Sequence, residues 1–155
     1  MKFIFQVLAT VALAASVVTA FDKGIMVGNT FGGPHGDKYS DLDLVDPGQT
    51  VKSITVRSAD RVDSVSLDVV DSTGQSSTLK HGGDGGDENT LTMGNGEHIT
   101  GVEGNSIKGG TPQRDTDNMG KDSASDGYQL GGFAGFAGNE LDSVGAIWTN
   151  IKPVE

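Results

Sequence analysis

Two kinds of loop each occur twice in this chain of 155 residues, and this repetition limits the folds that it can adopt. One kind is rich in glycine: residues 32–36 read Gly-Gly-Pro-His-Gly, and residues 82–86 read Gly-Gly-Asp-Gly-Gly. The other kind ends in the sequence Asp-Ser-Val, at 63–65 and again at 142–144. Internal repetition of this sort indicates a pseudosymmetric fold built from similar units.

The segments between these loops have the composition of β-strands. Residues 51–57 and 62–70 alternate between polar and β-branched apolar side chains, which is typical of half-buried strands. Further strands are expected at 21–27, 127–130 and 144–151. No segment has a helical period of any length, so the sequence predicts an all-β barrel, sandwich or prism.

Turn residues predict where some of these strands are connected. The sequence Gly-Asn-Gly at 94–96 favours a tight hairpin between strands at 90–93 and 98–102. The stretch 104–126 is polar and rich in Asp and Gly, and we expect irregular, exposed structure there.

The N-terminus has the pattern of a secretory signal peptide over residues 1–20. Lys2 supplies the positive charge, residues 3–18 are mostly apolar, and small residues precede a cleavage site before Phe21. The apolar stretch is shorter than the roughly 20 residues that a membrane-spanning helix needs. We therefore expect a secreted, extracellular protein with no membrane span, whose single domain covers residues 21–155.

Charge and cysteine content exclude several classes of function. The formal net charge is −10, and an acidic surface repels the phosphate backbone, so nucleic acid is not an expected partner. The chain has no cysteine, which excludes a disulfide scaffold and thiol catalysis.

The loop after residue 137 combines hydrogen-bond donors with a carboxylate. Gly138 is expected to turn the backbone where a Cβ atom would clash, Asn139 and Glu140 offer backbone N–H groups, and Asp142 supplies an acceptor. A vicinal diol needs such a mixture, because each hydroxyl both donates and accepts. The pattern predicts a sugar-binding loop, although an ordinary hairpin turn has a similar sequence.

Three motifs in order resemble those of the jacalin-related lectins. These are the glycine loops at 32–36 and 82–86 and the final stretch 132–145, which reads Gly-Phe-Ala-Gly-Phe-Ala-Gly-Asn-Glu-Leu-Asp-Ser-Val-Gly. The resemblance implies a β-prism I fold of three four-stranded Greek-key sheets with pseudo-threefold symmetry. The unbroken first glycine loop is similar to the mannose-type, single-domain branch, which implies a lectin for mannose or glucose glycans.

The resemblance also implies which residues bind the sugar. In the family the first glycine loop and the last loop meet at one end of the prism. Carried over, the carbohydrate site would consist of Gly36, Gly138, Asn139, Glu140 and Asp142, with backbone donors at 36, 139 and 140 and the carboxylate as acceptor. His35 stands where the family usually has a glycine.

Some members have a second carbohydrate site built from the middle glycine loop. Here it would comprise Asp60, Arg61, Asp63, Gly85 and Gly86. Ala59 replaces the glycine that normally opens this turn, and a positive φ angle there would be strained.

Two other functions are compatible with parts of the sequence. Residues 82–87 match the start of a calcium-binding β-roll repeat, which would make the chain a calcium-dependent adhesion module. The acidic residues Asp41, Asp43 and Asp46 are interpreted as a solvated edge rather than as calcium ligands. Glu140 and Asp142 resemble the carboxylate pair of a glycan hydrolase, but they belong to one short loop.

The preferred interpretation is therefore a binding protein and not an enzyme. The three histidines lie at 35, 81 and 98 without zinc-ligand spacing, and no catalytic residue, metal or cofactor is expected. Its partners would be glycans containing mannose or glucose. A shallow sugar site binds weakly, so avidity would come from the second site or from a homo-oligomer.

Overall fold

The computed structural model describes residues 24–105 and 119–154. This part of the chain forms ten β-strands, namely β1 (Ile25–Gly32), β2 (Asp37–Ser40), β3 (Thr50–Ser58), β4 (Val62–Val70), β5 (Ser76–Gly82), β6 (Asp87–Thr92), β7 (Gly101–Asn105), β8 (Met119–Ser123), β9 (Tyr128–Ala137) and β10 (Leu141–Asn150). No helix among the described residues is long and apolar enough to cross a membrane.

The strands form three antiparallel sheets. Sheet A has the order β1-β10-β9-β2, sheet B has the order β5-β4-β3-β6, and sheet C pairs β7 with β8. In sheets A and B the two central strands are joined by a tight connection, and two strands that follow one another along the chain take the outer positions. This is the same Greek-key unit used twice, as the repeated loops predicted.

The core lies between the inner faces of the sheets. The β-branched alternation of β3 and β4 directs every second side chain inward, and Leu67 on β4 is fully buried. Strand β10 is buried over most of its length, which includes Ile147 and Trp148. The cluster comprises Val45, Val51, Val65, Leu67, Val69, Leu79, Leu130, Phe133, Ala146, Ile147 and Trp148.

The strands predicted at 51–57 and 62–70 are confirmed as β3 and β4, but the hairpin predicted at 94–96 is wrong. Residues 94–97 do form a turn, in which Glu97 N donates to Gly94 O at 3.1 Å. The strands on either side of it belong to different sheets, because β6 pairs with β3 whereas β7 pairs with β8. The polar stretch predicted to be irregular contains β8, and residues 106–118 and 21–23 lie outside the described residues.

The interpretation of Asp41 as part of a solvated edge is wrong. Its side chain is 1% exposed, and Oδ2 accepts a hydrogen bond from the backbone N–H of Phe133 on β9 at 2.8 Å. Its Oδ1 lies 2.8 Å from Nε2 of His81 on β5. The His81 ring in turn stacks on Tyr39 at a centroid distance of 3.8 Å. A buried carboxylate needs such partners, and this group joins sheet A to sheet B.

Candidate functional site

A β-bulge in sheet A places Asp142 beside the first glycine loop. Leu141 pairs with Ala137 and Ser143 pairs with Phe136, so Asp142 is the extra residue between them. A Cβ atom added to Gly36 would lie 2.9 Å from Asp142 Oδ2, and Gly36 has a φ angle of +74°. Only glycine adopts this conformation freely, so the loop brings its backbone close to the carboxylate.

Backbone hydrogen bonds hold the two loops of this site together. The N–H of Gly33 donates to the carbonyl oxygen of Asp142 at 3.0 Å, which fixes the glycine loop against the bulge. Within the other loop, the N–H of Gly138 donates to the carbonyl oxygen of Glu140 at 2.9 Å. The structure therefore brings Gly36, Gly138, Asn139, Glu140 and Asp142 to one end of sheet A. We define them as the primary site.

The reason predicted for glycine at position 138 is wrong. A Cβ atom there would meet only the Cα atom of Gly36, at the ordinary contact distance of 3.9 Å. Gly138 is also not among the glycines with a positive φ angle. The residue is accommodated in this turn, but neither space nor backbone conformation requires it.

Ser143 and Tyr39 form hydrogen bonds that hold the strand segment next to Asp142. Ser143 Oγ accepts a hydrogen bond from the backbone N–H of Phe136 at 2.9 Å, and the Tyr39 hydroxyl donates to the carbonyl oxygen of Ser143 at 3.0 Å. Burial, followed by the negative charge of Asp41, raises the pKa of the Tyr39 hydroxyl well above its ordinary value of 10.0. Tyr39 thus stays protonated and remains a donor to the strand that carries Asp142.

Sheet B repeats the arrangement of the primary site around Asp63. Ser58 pairs with Val62 and Arg57 pairs with Ser64, so Asp63 is the bulged residue between β3 and β4. The N–H of Gly83 donates to Asp63 O at 2.9 Å, and a Cβ atom added to Gly86 would lie 2.6 Å from Asp63 Oδ2. The φ angle of Gly86 is +65°, close to that of its counterpart in sheet A.

The turn at Ala59 has the same internal hydrogen bond as the turn at Gly138. Its N–H donates to the carbonyl oxygen of Arg61 at 2.9 Å. Since the glycine at the equivalent position in sheet A has no positive φ angle, the strain expected from Ala59 is not inherent in this turn. Asp60, Arg61, Asp63, Gly85 and Gly86 therefore meet at one end of sheet B, and we define them as the second site.

Arg57 supports the second site, and the sequence pattern did not predict this role. Its Nε donates to Gly85 O at 2.9 Å, one terminal nitrogen donates to Gly86 O at 3.0 Å, and the other binds Glu88 Oε2 at 2.8 Å. The planar guanidinium thus holds both glycines by their carbonyl groups. The alternation of β3 predicted only that Arg57 is a strand residue, and its partners lie some thirty positions away.

The two sites touch each other. The guanidinium of Arg61 in the second site forms an ion pair with the carboxylate of Glu140 in the primary site. Beside it, a Cβ atom added to Gly83 would overlap the carbonyl oxygen of Asn139, so the two loops pack backbone against backbone. We call this contact the seam. Both sites consequently open at the same end of the molecule.

The acidic side chain in the middle of the second glycine loop is held by a protein partner. Asp84, in the motif that resembles a calcium-binding repeat, pairs with Lys80, and this contact lowers the pKa of Asp84. In the part of the chain that the structure describes, no group of three or more His, Cys, Asp or Glu side chains is arranged to hold a metal ion.

Known proteins share this architecture. The Jacalin-like lectin domain family matches residues 28–147. Wild-type Malaysian banana lectin superposes with a TM-score of 0.65 at 18% identity, over 82% of this chain and 99% of that one. AcmJRL, a mannose binding jacalin related lectin from Ananas comosus, does so with a TM-score of 0.64 at 18% identity and the same coverage. These similarities confirm the β-prism I fold.

A relative in sequence is Secreted RxLR effector protein 19 of Plasmopara viticola. It is 25% identical to this chain over an alignment of 170 positions, which covers 96% of this chain and 94% of that protein. The similarity covers both glycine loops and both bulges.

Proposed function

Since the chain belongs to the family of jacalin-like lectin domains, we propose that it is a secreted lectin that binds mannose or glucose glycans without catalysis. The observation that carries this proposal is the duplicated geometry, in which an aspartate at a β-bulge faces a glycine of positive φ angle in both sheets. An ordinary hairpin turn would not be expected to produce the same arrangement twice. Each arrangement would offer the donors and the acceptor that a diol needs.

At the primary site we assign three backbone donors and one acceptor. The N–H groups of Gly36, Asn139 and Glu140 would donate to sugar oxygens, and the carboxylate of Asp142 would accept from two neighbouring hydroxyls. Hydrogen bonds to an ionised carboxylate are stronger than neutral ones, so Asp142 should contribute most of the affinity.

At the second site Asp63 takes the role of Asp142, and backbone groups of Asp60, Arg61 and Gly86 take the donor roles. Gly85 lies against the carboxylate: a Cβ atom added there would be 2.6 Å from Asp63 Oδ1. The binding partner is a neutral hexose at both sites, because both carboxylates repel anionic sugars. The preference for mannose rests on the unbroken first glycine loop and on the similarity to a lectin described as mannose binding.

Single-site variants test this function. We expect Asp142→Ala and Asp63→Ala each to remove one of two binding events in calorimetry with methyl mannoside, and the double variant to bind none. Asp43→Ala, which removes an exposed carboxylate of the loop between β2 and β3, is the control and should bind as the wild type does. Undiminished binding of glycans by a folded double variant would disprove the assignment.

Two further measurements separate the lectin from its rivals. We expect binding to survive chelation with EDTA, whereas loss of binding would favour a calcium-dependent adhesion module.

We expect no reducing sugar to be released from mannan or glucan, because the Glu140 carboxylate is engaged by Arg61 rather than facing Asp142 across a cleft.

Secretion is part of the same proposal. It is supported by the signal-like sequence of residues 1–20 and by a relative that is described as a secreted protein. Expression in a eukaryotic host should release a protein whose N-terminal residue is Phe21. Retention of the intact chain inside the cells would contradict this assignment.

A further inference from the structure

We infer that the ion pair between Arg61 and Glu140 is a positioning device shared by the two sites, which couples the affinity of each site to the loop of the other. This inference rests on the proposed function. The pair joins the two residues whose backbone N–H groups are assigned as sugar donors, one in each site.

The position of the pair makes both loops depend on it. In each loop the paired residue also supplies the carbonyl oxygen that closes the turn, at 2.9 Å from Gly138 N in one case and from Ala59 N in the other. The ion pair therefore anchors, in each loop, the residue whose backbone closes the turn and is assigned as a sugar donor. Because sugar hydrogen bonds are short and directional, a small displacement of a donor weakens binding.

Backbone packing at the seam is a second link between the two loops. Gly83 lies so close to the carbonyl oxygen of Asn139 that a single added Cβ atom would overlap it. The second glycine loop is in turn tied to Asp63 through the hydrogen bond from Gly83 N to Asp63 O, 2.9 Å long. The ion pair and this backbone contact thus connect the acceptor of the second site to the donors of the primary site.

The strength of the coupling follows from the exposure of the pair. The side chains of Arg61 and Glu140 are 55% and 32% exposed, so solvent screens their attraction. Pairs of this kind contribute modestly, and we expect removal of one partner to weaken sugar binding about 1.5- to 5-fold. Coupling between two binding sites is reciprocal. A sugar at the primary site should therefore raise the affinity of the second site by the same factor by which a sugar at the second site raises the affinity of the primary site.

The test measures each site across the seam. In the Asp142→Ala background only the second site binds sugar, and we expect Glu140→Gln to weaken it although Glu140 belongs to the other loop. In the Asp63→Ala background we expect Arg61→Gln to weaken the primary site. The matched control is Glu103→Gln, which removes another surface ion pair, the one with Lys121 on sheet C at 3.8 Å.

Charge exchange and salt distinguish positioning from a general loss of structure. The double variant Arg61→Glu, Glu140→Arg reverses the pair and should restore the affinity that each single change removes. Raising the salt concentration from about 0.01 M to about 1 M shortens the Debye length from about 30 Å to about 3 Å. The higher salt concentration should weaken binding of the neutral sugar to the wild type. It should leave the sugar affinity of Glu140→Gln unchanged.

The outcomes separate this inference from the proposed function. If the wild type binds no sugar at either site, the proposed function fails and the inference fails with it. If the wild type binds two sugars but Glu140→Gln and Arg61→Gln leave the opposite site unchanged, only the coupling is disproved. Equal weakening by Glu103→Gln would also overturn it, because any surface ion pair would then have the same effect.

Discussion

Arg57 shows how much of the proposed second site can depend on one side chain that is not itself assigned to contact the sugar. It binds the carbonyl oxygens of two consecutive glycines and the carboxylate of Glu88. Glycine loops lose more conformational entropy on ordering than other segments, so a clamp of this kind would reduce the entropic cost of the proposed sugar binding. In sheet A the equivalent strand position is occupied by Phe136, which leaves the primary site without such a clamp.

We therefore expect Arg57→Lys to weaken the second site selectively. Lysine keeps the charge but lacks the planar fork that reaches both carbonyl groups, so the loop loses one or two hydrogen bonds of about 0.5–1.5 kcal/mol each. Titration with methyl mannoside in the Asp142→Ala background should show a loss of about 2- to 10-fold for each hydrogen bond that is lost. The same change in the Asp63→Ala background should leave the primary site as it was, and a loss there would argue against a local clamp.

Among the elements, the two central strand pairs were the most predictable part of the fold. The alternation of β3 and β4 is local information, and so is the glycine content of the loops that follow them. The hairpin prediction at Gly-Asn-Gly was wrong because turn chemistry determines only where the chain bends. Strand pairing depends on which apolar faces meet in the core. The interpretation of Asp41 as a solvated residue was wrong because its burial depends on a distant partner. His81 lies forty positions further along the chain, where no local pattern shows the contact.

The proximity of the two loops of the primary site was implied by the family resemblance, because each loop is a compact motif. Their supports were not predictable, because each of them joins segments distant in sequence: Tyr39 to Ser143, and Arg61 to Glu140. Gly138 is an instructive case, since its place in a motif suggested a conformational need that its surroundings do not impose.

Within sheet B, Asp68 ties three neighbouring strands together and makes the stability of the sheet depend on pH. Its oxygens accept hydrogen bonds from Thr78 on β5 at 2.6 Å and from Ser53 on β3 at 2.7 Å. These bonds, with Thr78 the larger cause, lower the pKa of Asp68 below its ordinary value of 3.8. Because the unfolded chain then binds the proton more tightly, this stabilisation is present above that value and is lost as the pH falls through the folded-state pKa.

We expect Asp68→Asn to flatten this part of the pH dependence. The free energy of unfolding, measured with urea between about pH 2 and pH 7, should fall less steeply below about pH 4 in the variant than in the wild type. Asp43→Asn, at an exposed position, serves as the control. Identical slopes for wild type and Asp68→Asn would show that the hydrogen bonds to this carboxylate do not persist in solution.

Across the whole molecule, the cluster of Asp41, His81 and Tyr39 joins sheet A to sheet B. It places a carboxylate where no water reaches it and provides each oxygen with a partner. The same cluster holds Tyr39 against the strand that carries Asp142. The fold and the primary site thus depend on the same buried hydrogen bonds.

Removal of this carboxylate should destabilise the whole domain. Asp41→Ala leaves the N–H of Phe133 and the His81 ring without their partner, and each unsatisfied buried group costs about 1–3 kcal/mol. We expect a loss of on the order of 3 kcal/mol in the free energy of unfolding by urea. Asp43→Ala, two positions away and exposed, should change it by less than about 0.5 kcal/mol. Equal stability of the two variants would contradict the role of the cluster.

The seam has a consequence for how such a protein would act on cells. If both sites bind sugar as proposed, one copy can attach to a single glycan-coated surface at two neighbouring points, and in the described part of the structure neither site lies at the opposite end. A lone molecule would coat a cell without clumping it. Agglutination would demand that two copies join back to back, with their binding ends facing outward.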